Sequence, residues 1–318
     1  MINDETVSKR VRHVRIVLAL LVIISPLTVA SVKSGRPTQL SGYKAVRVHY
    51  SPLNKMIVSV RINGQPAKLL VDTGSNQIIL DTAAAESFGV QPSQAGLRYI
   101  RSTRINGELL PVGFAQSVMA GSMNFGSALV TLRDSSHSYT GGTRVDGVLG
   151  LDLLTQHKAV INCRTKLIFF KVDQTRQMDL SFVASAEKFT KIPLRREENG
   201  ALTVACSIRR QPARLFVDTG AFITIFHEAF LKSVGIPVET TRVSAHFARG
   251  AARNVSAGQI NDLKIGDFKS PPAKFGVTAL PNFTLLQGST RVSGILGMDT
   301  LYNCHAIIDL DGMNLFLK

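Results

Sequence analysis

The sequence predicts a mainly β protein whose body consists of two homologous lobes. Its 318 residues, 45% hydrophobic and 19% charged, suffice for two domains that each bury a core. A ten-residue stretch, Gln65-Pro66-Ala67-Lys68-Leu69-Leu70-Val71-Asp72-Thr73-Gly74, returns as Gln211-Pro212-Ala213-Arg214-Leu215-Phe216-Val217-Asp218-Thr219-Gly220, displaced by 146. Further on, Val145-Asp146-Gly147-Val148-Leu149-Gly150-Leu151-Asp152 returns as Val292-Ser293-Gly294-Ile295-Leu296-Gly297-Met298-Asp299, displaced by 147. A displacement that changes by one residue over that distance marks a duplicated unit with little net insertion. Within each copy, apolar residues alternate with polar ones at the period of a half-buried strand.

At the amino end, Lys9, Arg10, Arg12 and Arg15 precede the 17-residue segment from Ile16 to Val32, which is apolar apart from Ser25, Thr28 and Ser31. The basic flank, the apolar run, Pro26 and the small residues of Thr28-Val29-Ala30 make residues 1–32 either a cleaved signal peptide or a retained membrane anchor. Both leave the basic flank cytoplasmic and the body exported, with membrane association through residues 16–32 if the anchor is kept. Residues 33–45 read as a spacer or a removable segment.

The body then divides into lobe 1, residues 33–175, and lobe 2, residues 176–318. In lobe 1, Val58, Val60 and Ile62 alternate with Ser59 and Arg61. Asn63-Gly64 supplies a type I′ turn, and Pro66 to Val71 returns as the second strand. In lobe 2, Val204, Cys206 and Ile208 take the inward positions, while Arg209-Arg210 stands where Asn-Gly was, so a differently built turn is expected. Short helices are expected around Thr82 to Phe88, Leu151 to Gln156, Glu228 to Val234 and Met298 to Tyr302. The segment from Val172 to Glu198 reads as a linker and the entry to the second copy.

Composition and missing motifs remove several classes of function. No CxxC, HExxH, P-loop or GxSxG spacing occurs, which argues against zinc hydrolase, nucleotide hydrolase and serine-elbow chemistry. Cys163, Cys206 and Cys304 cannot build a disulfide framework and read as small buried hydrophobes. His137, His157, His227 and His305 show no ligand spacing, so neither a metal nor a cofactor is expected. The chain has 37 Lys+Arg against 22 Asp+Glu, a formal +15; four of the basic and two of the acidic residues lie in residues 1–30, leaving +13 on the exported body. That charge is dispersed, Trp is absent and no reading motif appears, so nucleic acid is not expected as a partner. Anionic membrane or cell-envelope polymers suit it better.

The chemistry lies in the two Asp-Thr-Gly triplets. A carboxylate set among Leu69, Leu70, Val71, Ile78, Ile79 and Leu80 faces partial burial, where an unpaired charge is expensive. Two such carboxylates at matching points of a repeat, each followed about 75 residues later by an apolar-apolar-Gly triplet, suit a site assembled from both lobes. Asp72-Thr73-Gly74-Ser75 and Asp218-Thr219-Gly220-Ala221 resemble the catalytic loops of the aspartic peptidases, and Val148-Leu149-Gly150 and Ile295-Leu296-Gly297 resemble their second core motif. Each repeat resembles the retropepsin-like unit more than the longer pepsin lobe, here fused in tandem as in bacterial exported proteins of this type. The resemblance covers about residues 45–171 and 190–318.

The resemblance implies two closed β-barrel-like lobes of acid-protease fold in a pseudo-two-fold arrangement, with Asp72 and Asp218 as the catalytic pair acting on a polypeptide substrate. A single chain would then suffice for activity. It implies that Thr73 and Thr219 hydrogen-bond across the lobe interface, and that Gly74 and Gly220 let backbone N–H groups approach the carboxylates. Ser75 is expected to hold the outer oxygen of Asp72; Ala221 lacks that hydroxyl, which would leave Asp218 one donor fewer. Flap hairpins are expected at residues 99–108 and 246–253, with Tyr99, Arg101, Arg104, His246, Phe247 and Arg249 as candidate cleft residues. The competing reading is a catalytically silent peptide-binding module at the cell envelope, which would have no need of two intact Asp-Thr-Gly motifs.

Overall fold

A computed structural model describes residues 40–93, 102–105, 108–134, 139–140, 143–246, 252–280 and 292–318. Residues 38–318 form one compact unit. The segment predicted to be a signal peptide or anchor lies outside the described residues. Among the described residues, no helix is long and apolar enough to cross a membrane.

Lobe 1 runs through β1 (Tyr43–Tyr50), β2 (Met56–Ile62), β3 (Gln65–Val71), β4 (Ile79–Asp81), α1 (Thr82–Ser87), β5 (Ser102–Ile105), β6 (Glu108–Ala120), β7 (Met123–Arg133), β8 (Tyr139–Thr140), β9 (Thr143–Arg144), β10 (Gly147–Leu149), α2 (Leu151–Gln156), β11 (Val160–Asn162) and β12 (Leu167–Lys171). Following the pairings β2–β3, β3–β10, β10–β4, β4–β7, β7–β6 and β6–β2 returns to the starting strand, so the lobe is a closed six-stranded barrel. Closure leaves no open edge in that ring. It also encloses Val58, Val60, Leu69, Val71, Leu80 and Leu149, all almost fully buried.

The segment read as a linker contains the helix α3 (Leu180–Ala186). Lobe 2 follows with β13 (Thr190–Arg196), β14 (Leu202–Ile208), β15 (Gln211–Val217), β16 (Ile225–His227), α4 (Glu228–Ser233), β17 (Glu239–His246), β18 (Ala252–Ile260), β19 (Lys264–Ile265), β20 (Phe268–Lys269), β21 (Ala273–Thr278), β22 (Val292–Leu296), α5 (Met298–Asn303), β23 (Ile307–Asp309) and β24 (Asn314–Leu317). Its ring follows the same path, β14–β15–β22–β16–β21–β18. The last link back to β14 is made by the short β19, where lobe 1 uses one continuous thirteen-residue strand, β6.

The hairpin turns show how a remote contact substitutes for local propensity. Asn63 and Gly64 have φ of 50° and 82°, and Arg209 and Arg210 have φ of 51° and 64°. The second turn therefore has the same left-handed backbone as the first, correcting the expectation of a different construction. Two arginines there are unfavourable in isolation. Asp262 accepts from the Arg209 backbone N–H at 2.8 Å, and the Arg209 guanidinium donates to the carbonyls of Val234 and Gly235 at 3.0 and 2.9 Å. These bonds hold the turn in place.

The lobes meet in a shared antiparallel sheet ordered β1–β12–β11–β23–β24–β13. At its centre Ile161 faces Ile308, and these two residues are 147 apart, the displacement of the repeat. The pseudo-two-fold axis therefore passes through this pair. Both isoleucines are fully buried. Asp311, on the turn between β23 and β24, adds a polar tie by pairing with Lys171 at 2.5 Å and Lys158 at 3.0 Å. Cys163, Cys206 and Cys304 are buried and unpaired, with burial pushing the Cys163 and Cys206 thiols up to about 12.

Candidate active site

Each Asp-Thr-Gly loop begins where a barrel strand ends. β3 runs parallel to β10, with Val71 opposite Leu149, and the Asp72 N–H donates to the Leu149 carbonyl at 3.1 Å. The Asp218 N–H donates to the Leu296 carbonyl at the same distance. The apolar-apolar-Gly triplets thus seat the two loops. Gly150 and Gly297 are required there because a Cβ would lie 2.3 Å from the Gln77 and Ile223 carbonyl oxygens respectively.

The threonines lock the loops to each other. Thr73 N–H donates to Thr219 Oγ1 and Thr219 N–H to Thr73 Oγ1, both at 3.0 Å. The Thr73 hydroxyl then donates to the Val217 carbonyl and the Thr219 hydroxyl to the Val71 carbonyl, both at 2.8 Å. Both residues are fully buried, so every one of these groups would be costly to leave unpaired. This is the interlobe contact that the resemblance implied, and its numbers are the same in both directions.

That lock brings the carboxyls together. Asp72 Oδ1 accepts from the Gly74 N–H at 2.7 Å; Asp218 Oδ1 accepts from Gly220 and Ala221 at 2.8 and 3.0 Å. Each glycine lies under the opposite carboxyl: a Cβ on Gly74 would fall 2.6 Å from Asp218 Cγ, and one on Gly220 2.4 Å from Asp72 Cγ. Burial, followed by the Asp72 charge and a hydrogen bond with the Asp72 carboxyl, pushes Asp218 well above its ordinary value of 3.8. Two carboxyls held this close disfavour ionisation of both together.

The structure reverses one expectation. Ser75 donates its hydroxyl to the Gln77 carbonyl at 2.9 Å rather than to Asp72, because the loop folds back after Gly74 and brings that carbonyl within reach. The richer backbone donation falls on Asp218, which accepts two N–H bonds, so the missing hydroxyl of Ala221 does not impoverish it. The candidate flap segments fall at the ends of two hairpins, β5–β6 and β17–β18. Arg104 lies on β5 and His246 on β17, while Tyr99, Arg101, Phe247 and Arg249 lie outside the described residues.

Three polar residues at the site went unassigned in the sequence. Asp152 accepts from the Ile78 N–H at 3.0 Å. Asp299 accepts from the Thr224 N–H at 2.8 Å and the Thr224 hydroxyl at 2.7 Å. Each ties the chain leaving an Asp-Thr-Gly loop to the helix after the glycine triplet, and burial raises both carboxyls. Their signal was present in the repeated Gly-x-Asp. The third is Lys55, whose ammonium lies 6.0 Å from the Phe222 ring centroid and interacts with the charges of Asp72 and Asp218. The walls beside the dyad also differ: Phe216, Ala221 and Ile223 pack on a separate apolar cluster of Ile225, Leu280 and Ile295, whereas the matching lobe 1 loop carries Ser75, Asn76 and Gln77.

Residues 58–153 and 204–300 each match the aspartyl protease family, one match per lobe. The chain belongs to the aspartyl protease family. Among curated proteins it is 32% identical over 109 residues to DNA damage-inducible protein 1 of Yarrowia lipolytica, covering 34% of this chain and 25% of that protein. It is 27% identical over 129 residues to the protein of that name from Cryptococcus neoformans var. neoformans, covering 38% and 27%. The matches thus span about a quarter of the length of those relatives. Among solved structures, an aspartic proteinase from Irpex lacteus aligns with a TM-score of 0.49 at 15% identity, covering 86% of this chain and 96% of that one.

Proposed function

We propose that this protein is an aspartic endopeptidase that hydrolyses peptide bonds with water activated between Asp72 and Asp218. The observation that carries the reading is the close approach of the two Asp-Thr-Gly loops, tied by the reciprocal threonine bonds and with each glycine lying under the opposite carboxyl. With one proton shared, the ionised member draws a proton from a water molecule as its oxygen attacks the peptide carbonyl carbon. The protonated member donates to the carbonyl oxygen, giving a tetrahedral gem-diol without a covalent bond to the enzyme. Collapse transfers a proton to the leaving nitrogen, breaks the C–N bond and returns the dyad to its starting charge.

Both carboxyls come from one chain, which supports activity as a monomer. The apolar wall of Phe216, Ala221 and Ile223 favours an apolar substrate side chain on the lobe 2 side, and we take the β5–β6 and β17–β18 hairpins as the candidates for covering a bound strand. We further infer export, with residues 1–32 acting as signal or anchor and the dispersed +13 suited to an anionic envelope. The test is incubation of the full chain with an unfolded protein, followed by mapping of new termini by mass spectrometry. Internal cuts that a peptide bearing a secondary alcohol in place of the scissile carbonyl blocks are expected, because that group mimics the tetrahedral species. Binding of that peptide without any cut would favour the silent module instead.

A further inference from the structure

Lys55 has no counterpart in the second lobe, although the loop that carries it is duplicated in detail. In lobe 1, Ser51 N–H donates to the Lys55 carbonyl at 3.0 Å and Asn54 N–H to the Ser51 carbonyl at 2.9 Å, with Asn54 at φ 55°. In lobe 2, Glu197 N–H donates to the Ala201 carbonyl at 2.9 Å and Gly200 N–H to the Glu197 carbonyl at 2.8 Å, with Gly200 at φ 84°. Lys55 and Ala201 are therefore twins in backbone terms. Each loop also crosses to the other lobe. Asn199, in the lobe 2 loop, accepts from Asn76 Nδ2 at 2.7 Å, while Lys55 extends over Phe222, the twin of Asn76. At this loop the backbone obeys the pseudo-two-fold relation and the Lys55 side chain breaks it.

We propose that Lys55 is a positioning residue for the dyad: its ammonium, carried across the lobe interface to Phe222, supplies the positive charge that holds the Asp72–Asp218 pair in its singly ionised form. The inference rests on that pair being the reacting one. A buried pair holding one proton carries one negative charge, which is expensive without a partner. Lys55 cancels it, so the site as a whole is neutral in its working state. Burial lowers the proton affinity of Lys55, and the charges of Asp72 and then Asp218 raise it; among the described residues these two carboxyls are the ionisable groups that act on it, and the Phe222 ring faces it from lobe 2. A cation on one side also adds to the inequivalence that the second N–H bond to Asp218 already creates.

The test compares the full chain with Lys55→Met, which keeps the length and removes the charge, and Lys55→Arg, which keeps the charge. Two readouts are taken: the pH profile of kcat/KM, and the carboxyl titration of 13C-labelled aspartate, which needs no turnover. A neighbouring cation favours every ionisation of the dyad, so Lys55→Met should move both limbs of the profile and the carboxyl titration upward by about one pH unit. Lys55→Arg should stay close to the parent. A moved carboxyl titration in a chain that cleaves nothing would sink the peptidase reading while upholding the charge coupling of Lys55 to the pair. An unmoved titration in Lys55→Met would overturn it, as would a rise in kcat/KM with both limbs in place, the mark of a side chain that merely blocks the cleft.

Discussion

The two lobes agree where geometry must be held and differ where charge and contact are set. The threonine bonds match to a tenth of an ångström in both directions, both glycines lie under the opposite carboxyl, and Asp152 and Asp299 tie down the two loops alike. Against that framework stand Lys55 opposite Ala201, Ser75 opposite Ala221, and Gln77 opposite Ile223. The difference teaches that two-foldness is needed to bring two carboxyls together, whereas the bound peptide has a direction and does not require a two-fold cleft. Duplication inside one chain permits that division, since each copy can change separately.

The harshest way to break the comparison is at the glycines. Gly74→Ala places a methyl 2.6 Å from Asp218 Cγ and Gly220→Ala one 2.4 Å from Asp72 Cγ, so either should push the carboxyls apart. Cleavage is expected to fall by about 10²–10⁴-fold, the scale of losing concerted acid–base help, in peptide assays; an unaffected rate would mean the close approach is unimportant.

The next cut is Thr73→Ala, which leaves the buried Thr219 N–H and the Val217 carbonyl without partners. A loss of about 2–4 kcal/mol in chemical denaturation is expected, and Thr219→Ala should match it closely. A large disparity between the two would show that the lock is less symmetric than its distances.

Asp218→Asn probes the carboxyl pair through stability. The folded-state pKa of Asp218 is raised, so burial of its protonated form favours folding fully at low pH, and that contribution is lost as pH rises from 3.8 through the raised value. The variant avoids this cost and should melt at or above the parent at pH 7, with the advantage vanishing below about pH 4. A variant less stable at pH 7 than at pH 4, relative to the parent, would contradict the sign.

The smallest effect is expected at the hairpin turns. Arg210→Gly relieves a left-handed arginine and should stabilise by about 0.5–1 kcal/mol, while Gly64→Ala should cost a similar amount. Thermal melts of the two variants would show opposite signs.

Much of this was legible in the sequence because duplication gives every observation a control. The repeat located both Asp-Thr-Gly loops and both glycine triplets, and the strand alternation placed Val58, Val60 and Ile62 and their lobe 2 twins correctly. The misses share a cause: they depend on contacts far away in the chain. The Arg209-Arg210 turn relies on Asp262, Val234 and Gly235, and the Ser75 hydroxyl goes where the loop happens to present a carbonyl. Lys55 is 17 residues before Asp72, and nothing local shows that its loop ends at the other lobe. Aligning the copies residue by residue would have flagged it, as a lysine opposite an alanine at the mouth of an apolar strand.

The central claim is that one carboxyl from each lobe of the same chain does the chemistry. Its most direct test is the peptide-cleavage rate of Asp72→Asn and of Asp218→Asn, each alone and in an equal mixture of the two chains. Each alone should lose about 10²–10⁴-fold, and mixing should restore nothing, since no mixed chain carries both carboxyls. Wild-type turnover by either variant, or recovery on mixing, would contradict the account.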